Sequence, residues 1–205
     1  MENGNIVVYD FTVKIKDSDN NNPMSISISK TGGHIVFMNY NREIAEEKIS
    51  QEEANSIGKE FLNSRGLSNM KETYYLKQGN AVTINYAYEQ DGVVIYPDLI
   101  KVKIALDKGE ILGMETTGYL NNHTERVLPT VKISESEAKQ KLNKNLEITS
   151  SGLAIIPTEW KSEIYCYEFK GKLNDTDFLV YINAETGAEE NILVIINTPN
   201  GTLTQ

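Results

Sequence analysis

Val82-Thr83-Ile84-Asn85-Tyr86-Ala87-Tyr88-Glu89-Gln90-Asp91-Gly92 decides the fold, because it reads as a strand running into a turn and its key residues return twice elsewhere in the chain. Val82, Ile84, Tyr86 and Tyr88 share one face at period two, and Gln90-Asp91-Gly92 offers a hairpin turn into residues 93–96. The aromatic pair recurs as Tyr9/Phe11 and Tyr165/Tyr167, each time followed by apolar alternation and a turn glycine. The spacing is 23 residues from Tyr9 to Gly32, 23 from Tyr86 to Gly109 and 22 from Tyr165 to Gly187. Ile26 and Ile28, Val102 and Ile104, and Val180 and Ile182 alternate before the three glycines; Ile35, Ile111 and Ile192 follow them. A pattern used three times means one supersecondary unit used three times.

Outward from that strand, two helix starts share one device. Ser50 stands three residues before Glu53, and Ser134 three before Glu137, each the signature of a capping box. Ala54, Ile57, Phe61 and Leu62 give the first helix an apolar stripe ending near Gly66; the second helix is shorter, running to about Asn143. Pro97 is expected to interrupt strand pairing. Beyond it Ile100, Val102, Ile104 and Leu106 form a strand face, and Asp107-Lys108-Gly109 turns into a strand over 110–116. Residues 153–156, 164–169, 178–183 and 191–196 repeat the strand series, with Glu185-Thr186-Gly187 as the turn.

The predicted fold class is α+β: tandem units, each an antiparallel β-meander packed by one helix, the first unit lacking its helix. The expected divisions are a strands-only unit over residues 1–46, a full unit over 47–120, a linker over 121–132, and a full unit over 133–205 ending in a polar tail from 197. Strands over 7–16, 25–29 and 35–38 make up the first unit. A sheet with a bare apolar face needs another layer, so a lost helix is the favoured explanation.

With 29 acidic against 20 basic residues, the net charge of -9 opposes phosphate neutralisation, and no nucleic acid partner is expected. Cys166 is the single cysteine, which excludes an intrachain disulfide; period two sets it opposite the neighbouring tyrosines, as a packed small residue. No stretch has the length of a membrane-spanning helix, and Met1-Glu2-Asn3-Gly4 carries no signal-peptide pattern.

Reactive constellations are weak. Asp17-Ser18-Asp19-Asn20-Asn21-Asn22 begins like a calcium loop, but Asn22 stands where the turn glycine belongs and Ile28 where a bidentate glutamate is needed. It reads as a solvated turn, as does Asn174-Asp175-Thr176-Asp177. His34 and His123 fall in different units without metal-ligand spacing, and there is no G-x-S-x-G elbow, G-x-G-x-x-G or Walker A sequence. Glu52/Glu53 and Glu135/Glu137 are explained by helix starts rather than by glycosidase chemistry. No catalytic residue, metal or cofactor is therefore expected. The recurring tyrosines are read as the sheet face that meets the helix. Tyr96 and Tyr119, which do not recur, are the candidate partner-binding residues.

The repeated unit resembles PepSY domains. Longer strings carry a sharper likeness: Tyr96-Pro97-Asp98-Leu99-Ile100-Lys101-Val102-Lys103, Gly118-Tyr119-Leu120 followed by His123, Ile156-Pro157-Thr158-Glu159, Cys166-Tyr167-Glu168-Phe169-Lys170-Gly171 and Phe178-Leu179-Val180-Tyr181-Ile182-Asn183-Ala184-Glu185-Thr186-Gly187. They are similar to the C-terminal region of the YpeB family of spore germination proteins. That resemblance implies a noncatalytic regulatory module that stabilises, localises or restrains the spore cortex-lytic enzyme SleB, the expected partner. It implies a parent protein held at the extracytoplasmic side of the spore inner membrane, or in the intermembrane space, by an N-terminal segment outside this sequence. A peptidoglycan-binding module or a peptidase inhibitor is the alternative.

Overall fold

The computed structural model describes residues 6–16, 22–159, 162–198 and 200–204. In chain order the elements are β1 (Val8–Val13), β2 (Met24–Ser29), β3 (Ile35–Tyr40), α1 (Gln51–Asn63), β4 (Met70–Gln78), β5 (Ala81–Gln90), β6 (Val93–Ala105), β7 (Ile111–Glu115), α2 (Thr117–Asn122), α3 (Glu135–Lys139), β8 (Glu147–Pro157), β9 (Glu163–Leu173), β10 (Thr176–Asn183), β11 (Glu189–Thr198) and β12 (Gly201–Thr204). They sort into two compact units, Met1–Tyr88 with Asp98–His123, and Glu89–Pro97 with Thr124–Gln205.

In the first unit the strands follow the order β1-β2-β3-β7-β6-β5-β4. The join between the first two repeats is the antiparallel pairing of β3 with β7, Met38 opposite Met114. Ser50 caps α1 by accepting from the Glu53 N–H at 3.2 Å while the Glu53 carboxylate accepts from the Ser50 N–H at 2.8 Å. Of the expected stripe Ala54 and Leu62 are buried and Ile57 and Phe61 half-buried, and the fully buried line runs Ala54, Gly58, Leu62, turned from Ile57 and Phe61 towards Gly58. Gly58 explains the rotation. A Cβ there would fall inside the van der Waals envelope of Tyr86 Oη and 3.2 Å from Ile104 Cδ1, so the missing side chain lets helix and sheet close. Tyr86 Oη in turn donates to Asn55 Oδ1 at 3.0 Å.

The second unit stacks β12-β11-β10-β9-β8 in antiparallel order. Residues Val93 to Ile95 of β6 add a parallel strand beside Leu153 to Ile155 of β8. Its core joins Ala138 and Leu142 to Tyr167, Phe169, Val180 and Ile182. Ser134 and Glu137 form the second capping box.

The repeat is visible in the backbone. Gly32, Gly109 and Gly187 all have positive φ, at 80°, 71° and 73°. A register shift precedes each: at Ser27/Ile28, Lys103/Ile104 and Tyr181/Ile182.

Several expectations need correction. Pro97 does not break β6, which runs on for 13 residues: the pairs with β8 end at Ile95 and those with β7 begin at Lys101, and Pro97 lies between them. Residues 197–204 do not trail as a polar tail; β12 folds back on β11, with Asn197 opposite Thr202 and Thr198 opposite Gly201. The helix α3 ends at Lys139, and Leu142 reaches the core through a tight turn in which its N–H donates to the Lys139 carbonyl. Strand β4, and the short helix α2 that overlaps the start of the expected linker, have no counterpart in the sequence reading. The calcium-like run lies outside the described residues except for Asn22, while Asn174 and Asp175 form a two-residue hairpin turn with φ of 48° and 64°.

Candidate functional site

Period two along β1 sets Tyr9, Phe11 and Val13 on one face, with Val7 just ahead of the strand, and all four stay open to solvent: Val7 60%, Tyr9 55%, Phe11 48% and Val13 37% exposed. Tyr9 faces Ile28, Phe11 faces Ile26 and Val13 faces Met24, all half-buried, so the apolar surface extends inward across β2. β1 ends the strand order of its unit, leaving its outer backbone edge unpaired by any strand among the described residues. Lys30 lies over the Tyr9 ring, its Nζ 4.8 Å from the centroid. The equivalent aromatics elsewhere are less open: Tyr86 and Tyr88 are buried, and in the third repeat Tyr167, whose hydroxyl donates to the Ile133 carbonyl at 2.9 Å, is buried while Tyr165 is half-buried.

Tyr119 stands on α2 in the first unit. Its ring stacks on His123 at 4.1 Å, and Tyr88 meets that imidazole edge-on at 4.6 Å. His123 Nδ1 is 2.7 Å from Oδ2 of Asp98, whose carboxylate is fully buried. Burial, aided by Tyr88 and Asp98, pushes the Tyr119 phenol up from its ordinary value. Tyr96 falls in the second unit and is anchored there: its hydroxyl donates to Glu168 Oε2 at 2.6 Å and its ring meets Tyr181 at 6.3 Å. The two candidate partner-binding tyrosines thus belong to different units and different surroundings. Asp98 was missed by sequence reasoning, although an acidic residue directly after a strand proline, at a position that must pack, is a signal that it has a partner.

Other ionisable groups have structural causes. Arg42 clamps Asp107 with two bonds, 2.8 and 2.7 Å, and reaches Glu110 at 2.6 Å. That guanidinium, with the Ala45 N–H, holds the Asp107 carboxyl down at about 2. Burial pushes the Cys166 thiol up to about 12, with Glu190 adding to it, which suits an inert packed cysteine. Glu135 and Glu137 are lowered, the first by Lys139 and the second by the Ser134 cap. Among the described residues no three His, Cys, Asp or Glu side chains gather as a metal site, and no helix is long and apolar enough to cross a membrane.

A helix laid on an antiparallel meander, repeated with a glycine turn and a bulge before it, is the PepSY architecture. The family described as "Peptidase propeptide and YPEB domain" matches residues 132–193, and "YpeB sporulation, PepSY1 and PepSY2 domains" matches residues 1–129. The chain belongs to the YpeB sporulation protein family. It is 35% identical over 182 residues to the sporulation protein YpeB of Halalkalibacterium halodurans and 35% over 187 residues to that of Bacillus subtilis, covering 89% of this chain and 41% of each relative. The chain therefore spans about two-fifths of those relatives' length. The solved C-terminal domain of Bacillus megaterium YpeB superposes with a TM-score of 0.80 at 28% identity, covering 95% of this chain and 91% of that one.

Proposed function

We propose that this chain is a noncatalytic binding module of spore germination that holds a partner enzyme, and that the partner is the cortex-lytic enzyme SleB, which it stabilises, localises or restrains. The observation that carries the reading is β1: an edge strand that, with Val7 just before it, exposes four apolar side chains by 37–60%, whereas the second repeat buries the aromatics of the same pattern, Tyr86 and Tyr88. An open edge supplies backbone N–H and C=O groups for strand addition, and the apolar row supplies the side-chain pockets that select a partner. The family description that joins the domain to peptidase propeptides favours an enzyme as that partner. The displaced protonation equilibria are accounted for by caps, an ion pair and burial, which supports a scaffold role over a catalytic one. The parent protein is placed by this reading on the extracytoplasmic side of the spore inner membrane.

Co-purification with SleB, followed by hydrogen exchange, tests it. The reading expects a complex in which the amides of residues 8–13 become protected, and its loss in Phe11→Asp. A complex that leaves those amides unprotected refutes β1 as the surface; absence of any complex refutes the partner. Sedimentation of the chain with purified cortex in the absence of SleB would favour a peptidoglycan-binding module instead.

A further inference from the structure

A cavity of about 560 Å³ opens in the first unit where four segments meet: the glycine turn before β3, the residues that follow α1, the end of β7, and α2. That is the size of a small-molecule site. Its walls are apolar at Ile35, Leu67, Met114 and Leu120, and its charged or titratable side chains are Arg65, His34 and His123 together with the phenol of Tyr119. Among the described residues no carboxylate lines it, in a chain with a net charge of -9.

Arg65 bonds only neutral acceptors, the Phe61 carbonyl at 3.3 Å and Ser64 Oγ at 3.1 Å, and lies 3.7 Å over the Phe61 ring. Its charge has no carboxylate partner among the described residues. His123 is built in rather than incidental: the buried Asp98 engages Nδ1, Tyr119 and Tyr88 fix the ring plane, and Nε2 is the nitrogen left for a ligand. Neither Tyr119 nor His34 spends its side-chain polar atoms on a hydrogen bond within the described residues. A second hollow of about 390 Å³ shares His34 and Leu120 and reaches Val7, which lengthens the apolar part of the site.

We propose that this cavity binds a small monocarboxylate with an apolar body, the carboxylate met by Arg65 and the imidazoles of His34 and His123. A cation is opposed by Arg65. A phosphate dianion would face too much apolar wall for its oxygens, whereas one carboxylate matches a planar guanidinium and leaves Leu67, Met114 and Leu120 to cover a hydrocarbon or aromatic group. Two sources share that chemistry, a free carboxylic acid and the carboxyl end of a peptide.

Titration of the whole chain, followed by amide NMR shifts, decides the matter with four probes: 3-phenylpropionate, N-acetyl-Leu-Phe, and the amide of each. The acids are expected to shift the amides of residues 33–35, 65–67 and 119–123 and to saturate, with each amide roughly tenfold weaker or more. Arg65→Gln, with a dispersed spectrum showing that it folds, is expected to weaken the acids about tenfold while leaving the amides unchanged. His123→Gln should weaken them as well, and Lys77→Gln, outside the cavity, should not. Tighter binding of the peptide acid assigns a peptide end as the ligand; equal or tighter binding of the free acid assigns a small molecule. Absence of shifts at those residues up to on the order of 10 mM overturns the proposal. So does equal binding of acid and amide.

Discussion

The first and second repeats carry the same hydrophobic template and treat it oppositely. Tyr9 and Phe11 are about half exposed, whereas Tyr86 and Tyr88, at the same places in the pattern, are 0% and 8% exposed. Strand period, turn glycine and bulge agree between them; the difference is α1, which lies on the second repeat and has no counterpart on β1 to β3 among the described residues. Periodicity therefore fixes which face of a strand is apolar, and a second layer decides whether that face becomes core or contact surface. The open face at β1 is what the proposed function uses.

The sharpest way to break this comparison is to truncate equivalent aromatics. Tyr86→Ala should destabilise the first unit by about 3–5 kcal/mol, because it empties a fully buried site and removes the bond to Asn55. Tyr9→Ala should change stability by no more than about 0.5 kcal/mol. Urea unfolding followed by circular dichroism measures both; similar losses would mean that the Tyr9 face is covered in solution.

The turns of the second and third repeats differ in how they are held, and pH separates them. Asp107 ahead of Gly109 is gripped by Arg42 out of solvent, while in the third repeat Asn183 Oδ1 accepts from the N–H groups of Glu185 and Thr186 at 2.9 and 3.0 Å, and the Glu185 carboxylate itself meets Lys132 only at the exposed surface. Asp107→Asn should cost about 2–4 kcal/mol, since it leaves a largely buried guanidinium with Glu110 as its remaining carboxylate beside the Glu43 carbonyl. The carboxyl is depressed in the folded state, from 3.8 to about 2, so its contribution is complete above pH 4 and is lost as pH falls towards 2. After solvent screening the pH-dependent part is on the order of 1 kcal/mol. Hydrogen exchange near Gly109 should rise over that window and exchange near Gly187 should not.

Much of this was legible in residue order, and the exceptions have physical causes. The turn glycines, both capping boxes and the helix-facing aromatics follow from local rules: positive φ, orphan N–H groups and period two. Pro97 misled because a proline breaks a ladder only where its missing N–H was needed, and pairing partners are not written in local sequence. Strand β4 alternates poorly, Met70-Lys71-Glu72-Thr73-Tyr74-Tyr75, and its Glu72 accepts from Gln51 and Asn55 of α1, a tertiary reason for a polar residue there. The Asp98 and His123 pair stands 25 residues apart on β6 and just after α2, so only the folded chain joins it. The cavity walls come from four segments, which no single motif spans.

Gly58 sets how closely α1 can seat on its sheet. Gly58→Ala improves helix propensity by about 1 kcal/mol, yet its methyl would collide with Tyr86 Oη. The net expectation, measured by urea unfolding, is a loss of about 1–3 kcal/mol from overpacking. In the double variant Gly58→Ala with Tyr86→Phe the loss should shrink, because the colliding hydroxyl is gone. A gain in stability from Gly58→Ala alone would show that helix and sheet have room to spare, and would leave the rotated stripe without a cause.

The smallest effect probes the two helices that the repeats do possess. Ser50→Ala and Ser134→Ala each remove an oxygen that accepts from an N3 N–H at 3.2 Å, and each should cost about 1 kcal/mol. The distribution should differ. α1 has 13 residues and three buried positions to hold it, so its loss should appear only as global destabilisation. α3 has five residues and a single buried one, Ala138, and depends more on its start. Ser134→Ala should therefore speed amide exchange locally over residues 135–139 while the strands behind it stay protected. If both variants instead loosen their whole sheets equally, the short helix is as firmly seated as the long one, and helix length has no part in how these repeats are covered.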